Sequence, residues 1–425
     1  MFNSNITHFQ GAHGALIRTG VVPNGAVPMV HIKAQMVGDA QNPVAYNTFF
    51  MGYYTDSPES GLLIGPNNDG DVLKMRYRAG TTAGFFNLTG EAVGQVHEYK
   101  FNAPGGTVID GVNVGAPAGV ADPLGGQDNL EYCLFGRSLY YNQARTSDSS
   151  RCRIYFAKFY LDGKKVRDFV PCYFRTTGTV GLFDKVTGRF FTNDNPVGGS
   201  LIAYVPCEYA EARATAATDT QNGAYVKTGI VPKAGDVPTV EMTFKWNRNL
   251  NETWLFGYWN GSTGTSIGMN NGSNGKPTYR QRVGNTAGHY DRPGDPQPET
   301  ANKHTIRFNT EDGTFLDGVK ETDIDLKNAA EPSGPMEYYL FARSIKETGK
   351  PLSVNGWTDA RIYSFKLWMN GTPALDLRPM KRFPAGDAVL YDSVGQRILA
   401  PAGGTLHPGE VIEPRGKRGL AILIF

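Results

Sequence analysis

Across residues 153–193 short apolar runs alternate with polar positions, and the runs are cut by Asp162-Gly163, Thr177-Gly178 and Thr187-Gly188. A period of two marks half-buried strands, and such residue pairs accept the left-handed backbone that tight hairpins need. The stretch predicts three or four short antiparallel strands. From Arg361 the pattern returns: Asn370-Gly371 stands for Asp162-Gly163, Pro379 for Pro171, and Tyr391-Asp392 for Phe183-Asp184.

Further blocks recur in the same order. GALIRTGVVPNGAVPMVHIKAQM, broken at Pro23-Asn24-Gly25, is matched by GAYVKTGIVPKAGDVPTVEMTFKW, and FFMGYY at 49–54 by WLFGYW at 254–259. Long Gly/Asn/Asp/Ser-rich loops are expected after both aromatic blocks. His97 and Asp110 reappear as His304 and Asp317 at one offset of 207, and residues 131–138 as 337–344. A period this long makes each copy a whole domain rather than a solenoid unit. The organisation predicted is 1–205 for the first copy, 206–409 for the second and 410–425 for a tail.

Length agrees, since 425 residues exceed what one core supports, roughly 250–300. The 52 Gly and 26 Pro point to many turns, hence to an all-β globular chain. Net charge is +2, shared evenly between the halves, so neither has the basic excess a nucleic acid demands. The four cysteines all fall at or before Cys207, and the second copy has Tyr339, Ala360 and Met380 in three of their places. A disulfide framework would recur with its fold, so reduced, buried thiols are expected. No basic leader with an apolar run opens the sequence, and no apolar stretch is long enough to span a bilayer. The expectation is synthesis in a host cytoplasm, without membrane insertion.

The order of these blocks, above all VRDFVPCYFRTTGTVGLFDKVTGRFFTN, resembles concanavalin A-like lectin/glucanase domains of the laminin-G-like kind found in gut bacteria and their phages. The family's opening motif is matched by Glu208-Tyr209-Ala210-Glu211 and by residues 225–230, and is eroded in the first copy at Thr7-His8-Phe9-Gln10-Gly11. The resemblance implies two tandem antiparallel β-sandwiches of jelly-roll form. It leaves activity open, because lectins, glucanases and structural modules share the fold.

Glucanases of this kind set two carboxylates on one strand face, flanking the sugar bond. Glu321, Asp323 and Asp325 alternate suitably but lack a final Glu, and the first copy has Asn113-Val114-Gly115 there, so a solvated strand face is expected. His97 and His304 have no ligand-spaced partner and are expected to bond a neighbouring loop. Asp110 and Asp317 precede Gly in hairpin turns, where Asp tolerates positive φ; calcium is the lesser reading. Neither a metal nor a cofactor is predicted.

Aromatic residues carry the binding expectation. In residues 49–54 and 254–259 one strand face enters the core, while the other offers rings that could stack on a sugar, Tyr54 and Trp259 foremost. Tyr140, Tyr141 and Trp357 are the next candidates. The tail, a basic hinge followed by Leu420, Ala421, Ile422, Leu423, Ile424 and Phe425, suits either assembly by strand addition or a last strand.

The sequence reading is a non-enzymatic, virion-associated structural protein of a bacteriophage, a capsid decoration or tail-fibre adhesion subunit. Its tail would bind other virion proteins, its lectin-like domains host-surface glycans, and it would form a homo-oligomer within the assembly. A bacterial carbohydrate-binding protein is the alternative, and a glycoside hydrolase the third reading.

Overall fold

The computed structural model describes residues 2–3, 8–11, 15–22, 25–36, 49–56, 59–69, 72–87, 95–121, 130–141, 143–147, 152–174, 177–195, 201–214, 223–248, 250–271, 277–284, 286–290, 302–320, 336–346 and 351–412. Glu321, Asp323, Asp325 and the segment from Leu420 to Phe425 lie outside them. Among the described residues every regular element is a strand. Two compact units cover the repeat, Met1–Val205 and Pro206–Ile412. Each is an antiparallel β-sandwich of the jelly-roll class, one larger and one smaller sheet face to face.

The larger sheets follow one order. In the first unit Val112–Gly115, Thr107–Ile109, Val96–Phe101, Pro28–Met36, Cys152–Leu161, Lys164–Phe174, Val180–Asp184 and Phe190–Phe191 lie side by side. In the second, Val319–Lys320, Gly313–Leu316, His304–Thr310, Pro238–Trp246, Asp359–Met369, Thr372–Phe383, Ala388–Asp392 and Arg397–Leu399 repeat it. Pro238–Trp246 shows why a strand forms here: buried and half-buried residues alternate along its whole length. One row enters the core and the other meets solvent.

The turns are those the residue pairs dictate. Asp162 and Gly163 have φ of 48° and 75°, and Asn370 and Gly371 have 52° and 77°. Each first residue also accepts a backbone N–H through Oδ1, from Val27 to Asp162 and from Val237 to Asn370, at 2.8 Å in both copies. Asp and Asn are favoured because they tolerate this backbone and satisfy a donor at once.

The smaller sheets depart from the sequence expectation. Where Gly-rich loops were predicted, each unit continues its sheet: Glu59–Asp69, Val72–Gly80 and Thr82–Asn87 after Met51–Asp56, and Gly264–Asn271, Pro277–Gly284 and Thr286–Tyr290 after Thr253–Trp259. The glycines that argue against strand by propensity lie opposite large aromatics, and a side chain there would collide with them.

Aromatic rings join the layers. Tyr53 and Tyr132 in the first unit and Tyr258 and Tyr338 in the second both have centroids 5.3 Å apart. Tyr132 also stacks on Phe159 of the larger sheet, and Phe256 of the smaller sheet stacks on Tyr338. All four cysteines are free and buried. Burial pushes the Cys133 and Cys207 thiols up to about 12, and raises Cys172 as well.

Candidate functional site

The outer face of the second unit's smaller sheet is set by register. Across three strands Trp254 lies level with Gly268 and Arg280, Gly257 with Ser266 and Arg282, and Trp259 with Gly264 and Gly284. Residues directly opposite share a face, and the intervening Phe256, Tyr258, Ile267, Tyr279 and Val283 belong to the core cluster. A bulge between Trp254 and Phe256 brings Trp254 onto the outer row.

Glycine makes room for the indoles. A Cβ on Gly268 would come within 2.6 Å of Trp254 Cε3, and one on Gly264 within 3.1 Å of Trp259 Cε3. Between the two tryptophans Gly257 has φ of +144°, and a Cβ there would lie 2.3 Å from the Thr265 carbonyl oxygen. Neither the space nor the backbone conformation admits a side chain.

Arginines lie over these rings. The Arg282 guanidinium carbon is 4.2 Å from the Trp259 centroid, Arg280 is 5.6 Å from Trp254, and Arg343 is 4.3 Å from Trp254 and 6.0 Å from Trp259. A guanidinium over an indole gains from the ring's quadrupole while its N–H groups stay available to a planar anion. Arg343 Nε also donates to Asn355 Oδ1 at 2.8 Å. Arg282 titrates below the usual guanidinium range, first because it is partly buried and then because Arg280 is near.

The first unit carries the same construction. Gly52 lies level with Leu63 and Arg78, Tyr54 with Gly61 and Gly80, and Gly65 with Arg76. Arg137 is 4.8 Å from the Phe49 centroid and 5.0 Å from Tyr54, and Arg78 is 5.4 Å from Tyr54. Leu63 stands where the second unit has Ser266, and forms a buried apolar cluster with Phe49 and Tyr54.

Of the aromatic candidates, Trp259 is half-buried with Arg282 across one face of its ring. Tyr54 is 9% exposed and Trp357 8%, the latter packed on Ala214 and Ala342. Tyr140 and Tyr141 belong to strand Arg137–Tyr141, which runs parallel to Met51–Asp56, and their side chains lie outside the described set. The arginines were not singled out in the sequence; their signal was alternation, Arg76 with Arg78 and Arg280 with Arg282, in segments read as loops.

Other polar clusters are internally satisfied. His97 Nδ1 lies 2.5 Å from Asp110 Oδ2, and His304 Nδ1 2.8 Å from Asp317 Oδ2. The second oxygen of each Asp accepts the N–H of Glu98 or Thr305, so each pair clamps a hairpin to the strand before it. Buried Glu211 and Asp359 converge on Asn247 Nδ2 at 2.9 and 2.8 Å. Arg213 and Arg361 neutralise Glu211, and Arg248 neutralises Asp359. Such a network fixes strand ends; a glycosidase pair leaves its carboxyls free to meet substrate. Among the described residues no group of three or more His, Cys, Asp or Glu is arranged to hold a metal ion.

No protein-family model matches the chain, and no curated protein is similar to it. Among solved structures, mouse laminin alpha1 chain, domains LG4-5, aligns over 95% of this chain and 96% of that one, at 11% identity and a TM-score of 0.32. That likeness is too distant to bear on the site.

Proposed function

We propose that the protein is a non-enzymatic attachment subunit whose second sandwich presents a glycan-binding face on the outside of its smaller sheet. The observation that carries this reading is the duplicated constellation of two aromatics across a bare glycine, overlaid by arginines. The half-buried Trp259 ring supplies apolar surface for a pyranose, and the half-buried Arg280 and Arg282 supply donors for its oxygens. The setting we propose is a bacteriophage virion, with residues 410–425 anchoring the subunit to other virion proteins; a bacterial carbohydrate-binding protein is the second reading and would use the same face.

An array of neutral and acidic glycans tests the site, comparing wild type with Trp259→Ala. Selective binding that the variant loses is the expected result, and an array without any bound glycan would remove the reading. Truncation after Pro414 tests the setting: incorporation into particles should cease while both sandwiches stay folded, and unchanged incorporation would refute the anchor.

A further inference from the structure

We infer that the second unit's face is built for an acidic polysaccharide, one carrying carboxylate or sulfate groups, with Arg280 and Arg282 as the residues that recognise its charge. This rests on the glycan-binding reading and adds the chemical class of the ligand. The two arginines are two positions apart on strand Pro277–Gly284, so both project from the outer face, and both are half-buried.

Their partners set them apart from four other arginines of the same unit. Arg213 pairs with Glu211 at 3.0 Å, Arg248 with Asp359 at 2.7 Å and Arg397 with Asp392 at 3.3 Å, and Arg382 pairs with Asp387. Among the described residues no carboxylate pairs with Arg280 or Arg282; aromatic rings are what they touch. Two partly desolvated like charges side by side repel, and an external anion relieves the repulsion. Burial first, and then proximity to Arg280, lowers the titration of Arg282.

Arg280 Nε, Trp254 Nε1 and Ser266 Oγ are buried without a hydrogen-bond partner. A stacked guanidinium keeps its planar fork directed at carboxylate or sulfate oxygens. Charge distribution argues for a polysaccharide rather than a nucleic acid. The whole chain carries only +2, so the positive field is local, matching charges separated by neutral sugar rings rather than a continuous phosphate backbone.

The test measures binding of the full chain to dextran sulfate, polygalacturonate and uncharged dextran, for wild type, Arg280→Gln/Arg282→Gln, Arg282→Lys and a charge-matched control, Lys245→Gln/Lys366→Gln, each checked for unchanged thermal unfolding. Wild type should bind at least one charged polymer and not dextran. The double arginine variant should lose about tenfold or more, and Arg282→Lys most of that, because an ammonium cannot reproduce the fork; the lysine control should change by less than about twofold. Equal losses in the lysine control would reduce the effect to unspecific attraction and overturn the site. Binding of neutral glycans that the arginine variants retain would overturn the charge inference while leaving glycan binding intact. Failure to bind any glycan, charged or neutral, would end both.

Discussion

The two outer faces share a frame and differ at its centre. Both set aromatics either side of a glycine that admits no side chain, and both lay arginines over the rings. In the first unit the position beside that glycine is Leu63, packed with Phe49 and Tyr54. In the second it is Ser266, between Trp254 and Trp259. The first face closes on itself with apolar contact, leaving Arg78 only 7% exposed. The second keeps a hydroxyl, larger rings and half-buried arginines. Duplication thus produced one face that stabilises its sandwich and one that retains unsatisfied polar groups, the pattern expected where binding is kept at some expense in stability.

The largest effect should come from the indole itself. Trp254 is 1% exposed, so Trp254→Ala should destabilise the second unit by about 3–5 kcal/mol, visible as an earlier unfolding transition in urea. Phe49→Ala should act on the first unit alone. If both variants shift one common transition, the faces do not belong to separate cores.

Exchanging the central residue addresses the comparison directly. Ser266 is fully buried, so Ser266→Leu should overfill the sheet, cost the second unit about 1–3 kcal/mol and reduce binding of an acidic glycan by about tenfold, which is about 1.4 kcal/mol. Leu63→Ser should cost the first unit about 1–3 kcal/mol in chemical unfolding by removing buried apolar volume. Unchanged binding by Ser266→Leu would show that the hydroxyl does not separate the faces.

Smaller effects should be equal in the two copies. Asp110→Ala and Asp317→Ala each leave a buried imidazole without its carboxylate and should cost about 1–3 kcal/mol, measured by the same unfolding titration. A large inequality would mean that the His–Asp clamps serve different purposes. The smallest expected effect belongs to the second unit alone. Burial, with Arg213 nearby, holds His407 below its ordinary value of 6.5. The unfolded chain therefore takes up a proton before the folded one does. Stability from this group is complete above the unfolded value and falls as pH drops through it, and His407→Gln should flatten that slope.

Much of the fold was legible because turns and core rows impose local residue choices. Asp162-Gly163 and Asn370-Gly371 identified hairpins since few other pairs adopt that backbone, and His97 with Asp110 foreshadowed its copy through spacing. The smaller sheets were misjudged at GLLIG and GTSIG. Glycine lowers strand propensity, and the reason for it here, an indole lying against Gly264 or Gly268 and backbone crowding Gly61, resides on a neighbouring strand whose register the sequence does not state. The site was half legible for the same reason. Tyr54 and Trp259 stood out as ring-bearing positions, whereas the arginines that cover them became recognisable only once the strands were aligned.

Gly257 separates what this surface can alter from what it cannot. Its backbone excludes any substituent, so the floor between the flanking residues is invariant in depth and shape. Descendants of this gene can change preference only along the rim, by exchanging a ring or a charge. Four half-buried positions, 259, 280, 282 and 343, are therefore where variants with new specificities should accumulate, while the spacing across Gly257 passes unchanged from one to the next.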